Sequence, residues 1–148
     1  MTEYKCPVKN GFLKCKEYKK GLEVTEYKGD DIHLKIPSIC VQADKPILSI
    51  GKKALLSCKN IQSIRLEDQI EEIGDWAFAY CDELREVFLP RKNLTFGRGI
   101  FQECPKLQAV HIAEAHSDVG GLMAAAVTLL DAPFLFHPLR AGDEEWVK

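Results

Sequence analysis

A spacing of 23 residues constrains this chain more than any other feature. Subtracting positions returns that interval for Gly51, Gly74 and Gly97, for Cys58, Cys81 and Cys104, for Ile61, Leu84 and Leu107, for Ile64, Val87 and Val110, and for Leu66, Leu89 and Ile112. No insertion breaks the phase between Ile50 and Ile112. A period of this length marks stacked repeats, in which one unit cannot bury its own apolar face and its neighbours complete the core. The residue types suggest the shape of one unit. Glycine after Ile50, Ile73 and Phe96 suits a turn with positive φ. Ala54-Leu55 and Ala77-Phe78 open what reads as a short helical segment, with alanine allowing close approach and the larger side chain pointing inward. The alternation that ends Ile61-x-x-Ile64-x-Leu66 predicts a half-buried strand. Stacked strands of this kind form a parallel sheet with rungs about 4.8 Å apart. The reading is an α/β solenoid of three turns, the fewest that bury a core, with a cap at each end.

The pattern I-G-x-x-A-F-x-x-C-x-x-L-x-x-V-x-L-P, clearest from Ile73 to Pro90, resembles the BspA-like leucine-rich repeats of bacteria. The resemblance covers roughly Ile47 to Ile112. Upstream, Tyr27-Lys28-Gly29-Asp30-Asp31, Ile36-Pro37-Ser38 and Ile47-Leu48-Ser49-Ile50-Gly51 are similar to the segment that often precedes the first repeat of that family. The departures are Ala54-Leu55, Gly99-Ile100, Glu67 and Ala113, mainly in the outer turns. The resemblance implies a leucine-rich-repeat fold and binding to proteins or surfaces, with exported members among its relatives.

The flanks carry different signals. Phe12–Tyr18 and Leu22–Tyr27 alternate around Lys19-Lys20-Gly21, which predicts a β-hairpin cap over the first turn. Past Ile112, Ser117 or Asp118 can cap a helix that runs to about Asp131 and stops at Pro133. The run Leu122–Leu130 is apolar nearly all round, so this helix is expected to be buried rather than to span a membrane, for which it is too short. The organisation expected is one domain: a β cap over 1–46, three repeats over 47–115, and a helical cap over 116–148 that either continues in a longer protein or frays at its last turn.

Composition narrows the function. A net charge of -2 makes no general case for nucleic acid or anionic membrane. Residues 1–60 hold 12 Lys, no Arg and 7 acids, and the rest holds 8 basic and 15 acidic side chains, a +5 to -7 asymmetry that reads as solvated faces. The first nine residues contain no apolar leader core, so the six cysteines are expected to be reduced thiols in the cytoplasm. A chain whose leader had been removed would look the same and would belong at the cell surface.

Chemistry finds little support. Cys58, Cys81 and Cys104 should line up as a ladder whose outer thiols lie on the order of 10 Å apart, whereas zinc needs four ligands converging on one point. They read as small apolar fillers. Cys6, Cys15 and Cys40 match no metal spacing, and His33, His111, His116 and His137 belong to no catalytic motif. No catalytic residue, metal, cofactor, nucleic acid or small-molecule substrate is expected; a thiol-redox or metal-dependent enzyme is the least favoured class.

What remains is a surface. The outward columns of the sheet should read Ser63, Glu86, Ala109, then Arg65, Phe88, His111, then Glu67, Pro90, Ala113. A guanidinium, an aromatic ring and an imidazole in one row have the composition of interface hot spots. Arg65, Phe88 and His111, with Glu86 beside them and Trp76 on the opposite side, are the candidate binding residues. The expected partner is a protein or a second copy of the chain. The expected function is a non-catalytic interaction module, with a bacterial surface adhesion module as the alternative.

Overall fold

The computed structural model describes residues 3–90, 95–113 and 135–139. Its strands are β1 (Glu3–Val8), β2 (Gly11–Tyr18), β3 (Gly21–Gly29), β4 (His33–Lys35), β5 (Ile39–Cys40), β6 (Lys45–Ile50), β7 (Ser63–Arg65), β8 (Glu72–Ile73), β9 (Glu86–Phe88), β10 (Thr95–Phe96), β11 (Ala109–Ala113) and β12 (Leu135–Leu139). They form two sheets. One runs β4-β7-β9-β11-β12, all parallel; the other runs β1-β2-β3-β6-β8-β10, an antiparallel meander that turns parallel from β3 onward, with β5 antiparallel against β6.

Each coil visits both sheets. From β6 the chain passes through residues 51–62 to β7, then returns to β8, and the next coils repeat this through 74–85 and 97–108. The inward side chains stack in rows: Val24, Ile50 and Ile73 from one sheet, Leu34, Ile64, Val87 and Val110 from the other, and Leu55, Phe78 and Phe101 from the connecting arms. The Phe78 and Phe101 rings lie 6.0 Å apart. This is a parallel-sheet solenoid of about four turns. The expected three turns omit the coil through β4, which pairs in register with β7 even though Leu34 and Ile64 are 30 residues apart.

The arms are not helical, contrary to the expectation from Ala54-Leu55 and Ala77-Phe78, and no helix occurs among the described residues. Two residues of every arm are left-handed and keep the 23-residue phase: Lys53, Trp76 and Gly99 (φ 59°, 54° and 59°), and Ser57, Tyr80 and Glu103 (φ 60°, 60° and 55°). A left-handed residue interrupts an α-helix. The backbone groups are satisfied between coils instead. Lys53, Leu55 and Ser57 donate their N–H groups to the carbonyls of Asp75, Ala77 and Ala79, and Trp76, Phe78 and Tyr80 donate to those of Arg98, Ile100 and Gln102, at 2.8–3.1 Å. The residues between them close tight turns, as Ala54 N to Gly51 O at 3.1 Å.

The recurring glycines also have a different cause from the one expected. None of Gly51, Gly74 and Gly97 has positive φ; among the described glycines only Gly99, outside their phase, does. A Cβ on Gly51 would sit 2.7 Å from the Val24 carbonyl oxygen, and one on Gly74 would sit 2.6 Å from the Lys52 backbone nitrogen. Close approach of successive backbones, not turn geometry, selects glycine there.

At the N-terminal end the hairpin is present as β2 and β3, but it is the middle of a three-stranded meander. It extends one sheet beyond the first coil, with β3 pairing parallel to β6. The helical cap expected over 116–148 lies largely outside the described residues. The part that is described, Leu135–Leu139, is a strand parallel to β11 rather than a helix.

The thiol expectation fails at two positions. Cys6 on β1 and Cys40 on β5 form a disulfide, with Cα atoms 5.2 Å apart. The Cys15 thiol lies 3.5 Å from the Cys6 sulfur. Sequence spacing gave no hint of this bond because it joins two elements 34 residues apart that only the meander brings together.

Candidate functional site

The repeat carries the outward residues of the all-parallel sheet into register. Arg65, Phe88 and His111 are paired rung to rung, and the column extends at both ends, to Lys35 on β4 and to the backbone of His137 on β12. Lys35 was missed because its coil is out of the 23-residue phase. The alternation of Ile32, Leu34 and Ile36 around His33 and Lys35 was the available signal.

The column is more enclosed than alternation predicts. Phe88 is 4% exposed, so it serves as a floor rather than as a projecting anchor. The His111 ring stacks on it with centroids 4.0 Å apart and planes 11° apart. Beside this stack, His111 Nε2 lies 3.7 Å from a Glu86 carboxylate oxygen. Arg65 Nε lies 3.8 Å from Glu67, whose other oxygen is 3.2 Å from Lys35 Nζ. In the neighbouring column, His33 Nδ1 and Ser63 Oγ are 2.6 Å apart, and Ser63 and Ala109 are buried. The face therefore presents a buried aromatic floor edged by charged groups that already have partners. Such a surface can recognise a polar, oppositely patterned protein face.

Trp76 does not join this column. It sits on the arm side, half-buried, with Nε1 donating to Gln102 Oε1 at 3.1 Å and with the Lys52 and Lys53 ammonium groups 5.7 and 5.6 Å from the ring. Gly99 makes room for the indole, since a Cβ there would lie 2.4 Å from Nε1. Of the five candidates, four share one face and one is separate.

The cysteine ladder is aligned as the repeat predicts. The Cys81 thiol donates to the Leu55 carbonyl at 3.2 Å, and the Cys104 thiol repeats that bond one coil later to Phe78 at 3.1 Å. Both are buried among core side chains. Cys58 is half-buried, and its hydrogen bond with Cys81 holds it below the usual thiol range. Burial pushes the Cys15 thiol up to about 12, which keeps it protonated and poorly nucleophilic at neutral pH. Among the described residues no group of three or more His, Cys, Asp or Glu is placed to hold a metal ion, and no helix is long and apolar enough to cross a membrane.

Comparison with known proteins places this geometry. The family described as BspA type leucine rich repeat region (6 copies) matches residues 35–129. Among solved structures, the chain is similar to a leucine-rich repeat protein from Bacteroides capillosus ATCC 29799, with 20% identity, a TM-score of 0.66, and coverage of 92% of this chain and 99% of that one. It is also similar to a leucine rich cell surface protein from Faecalibacterium prausnitzii A2-165, with 19% identity, a TM-score of 0.57, and coverage of 78% and 38%. A third similar structure is a leucine-rich repeat protein from T. pallidum, with 22% identity, a TM-score of 0.52, and coverage of 71% and 60%. A comparison with curated proteins gives no match. These likenesses concern the fold.

Proposed function

The chain belongs to the BspA-type leucine-rich repeat family, and from that premise we propose that it is a non-catalytic, single-domain protein-interaction module that binds through its all-parallel sheet. The observation that carries this reading is the continuous register of Lys35, Arg65, Phe88 and His111 on successive rungs. A stacked sheet holds such a row at fixed spacing, so a partner meets a pre-ordered surface and little ordering entropy is lost on binding. Glu86 borders the row, and Trp76 offers a weaker patch on the arm side.

A photo-crosslinking residue placed at Glu86, in cells that express the chain, tests the proposal. Crosslinks to a defined protein should form from that position, should be absent when the crosslinker replaces Lys106 on the arm side, and should be lost in Arg65→Glu. Equal yields from the two positions would remove the sheet face as the binding surface.

A second reading, adhesion at the cell surface, is supported by the Cys6–Cys40 disulfide, since such bonds persist in oxidising compartments. The Faecalibacterium protein with the same fold is described as a cell surface protein. Labelling of intact cells with a membrane-impermeant amine reagent distinguishes the compartments. Modification of the chain without lysis supports the surface, and protection until lysis supports the cytoplasm.

A further inference from the structure

The arms bond in one direction, and the first arm has no predecessor. The carbonyls of Asp75, Ala77 and Ala79 accept from the arm before them, as do those of Arg98, Ile100 and Gln102. The equivalents 23 residues earlier are Lys52, Ala54 and Leu56, and no donor among the described residues reaches these three carbonyls. The reason is a short connection. Residues 30–32, three of them, join β3 to β4, where 51–62, 74–85 and 97–108 supply twelve. A cleft of about 500 Å³ occupies the position of the missing arm, bounded by Glu26–Gly29 of β3 and by Lys53, Ala54 and Leu56–Ile61. It is closed at one end by the bond from Gly51 N to the Val24 carbonyl (2.8 Å) and at the other by Asn60 with Asp30 (3.4 Å), so an occupant enters as a loop tip rather than as a through-going strand.

Charge narrows the occupant. The first arm carries Lys52, Lys53 and Lys59 and no acid, and the second carries Asp75, Asp82 and Glu83 against Arg85 alone. The third returns to Arg98 and Lys106 against Glu103. The alternation is used in two ion pairs, Lys59 with Asp82 at 3.0 Å and Lys106 with Glu83 at 2.9 Å, while Asp75 accepts the backbone N–H of Arg98 at 2.8 Å. The cleft is lined by Lys28, Lys53 and Lys59 against Glu26 alone, and Lys14 and Lys28 already flank that glutamate.

We propose that the open edge of the first arm docks an acidic, arm-like loop of a partner polypeptide, which donates backbone N–H groups to the carbonyls of Lys52, Ala54 and Leu56 and carboxylates to the surrounding lysines. Main-chain bonds supply affinity and the charges supply selectivity, as in strand addition to an exposed edge. The proposal rests on the interaction-module reading but uses a different surface.

The probe is a dye-labelled peptide copying residues 74–83, with serine replacing its cysteine and a short glycine linker closing the ring, titrated into the full chain by fluorescence anisotropy. Saturable binding is expected. It should weaken at least about tenfold when the peptide is N-methylated at the positions copying Trp76, Phe78 and Tyr80, because three donors are lost. It should weaken similarly in the Lys28→Glu, Lys53→Glu, Lys59→Glu variant, whose substitutions are all at exposed positions. Arg65→Ala should leave it unchanged, which separates this cleft from the sheet face. The peptide arm uses the unaltered protein, so the test stands even if the triple variant folds poorly. Equal binding by the N-methylated peptide, or by one whose acids are replaced with lysine, overturns the proposal. So does the absence of saturation, or a dimer of the chain alone that charge reversal dissolves, which would assign the cleft to a second copy.

Discussion

The two sides of a coil obey different rules. On the all-parallel sheet, β4 pairs with β7 across a 30-residue interval and β7 with β9 across 23, and the rungs stay in register in both cases. On the arm side every special backbone position recurs at 23: the left-handed pair in each arm and the glycine that precedes it. Three-residue strands need only inward and outward alternation, so their spacing is free. The arms bond through alternate N–H groups while neighbouring backbones nearly touch, so their spacing is not. The repeat is imposed by the arms, and the sheet inherits it.

The largest test of this contrast is Phe78→Ala, which empties a fully buried position in the middle arm and should cost about 3–5 kcal/mol. Ile64→Val, at an equally buried position on the sheet, should cost about 1 kcal/mol. Urea unfolding measures both, and a loss at Phe78 no larger than the loss at Ile64 would mean that the middle arm closes around the void. Next comes Gly74→Ala. Its Cβ would meet backbone atoms of Lys52 and Gly51 at 2.6 and 2.9 Å, and backbone cannot swing aside, so a loss of about 2–3 kcal/mol is expected. A neutral result would mean that the coils can spread.

A third measurement concerns the meander. Burial raises the Cys15 thiol from its ordinary 9.0 to about 12. The folded state keeps that proton where the unfolded chain releases it. The contribution of this group is therefore complete below about pH 9 and is lost as pH climbs toward 12. The urea midpoint should fall across that window, and fall less in Cys15→Ala. Identical slopes would sever the link between burial and alkaline sensitivity. The smallest effect is a gain. Glu103 is exposed and left-handed at φ 55°, where Gly99 shows the residue that fits, so Glu103→Gly should stabilise by about 0.5–1 kcal/mol. A loss of stability there would indicate that the glutamate makes contacts beyond its backbone.

These rules explain what could be read from residues alone. The core rows were legible because Ile64, Val87 and Val110, or Leu55 and Phe78, differ from their neighbours in hydropathy, and stacking needs nothing more. The left-handed positions were not, because Lys53, Trp76 and Tyr80 are poor markers of positive φ and only Gly99 hints at it; the same residues invited a helical reading of Ala77-Phe78. The first rung was hidden by its irregular interval. The Cys6–Cys40 bond was hidden because composition reports compartment and says nothing of which strands meet. Of the proposed surface, the column order followed from phase, while the burial of Phe88 required knowing that the His111 ring lies flat upon it.

The phase-locked arms also set the grain size of evolutionary change in this molecule. Duplicating or excising a block of 23 residues between two left-handed positions recreates the original junction, charges aside, with each amide meeting a carbonyl of the expected kind. A block of any other length leaves a mismatched seam that both neighbours must absorb. Growth and shrinkage of such a stack should therefore proceed in whole-coil steps.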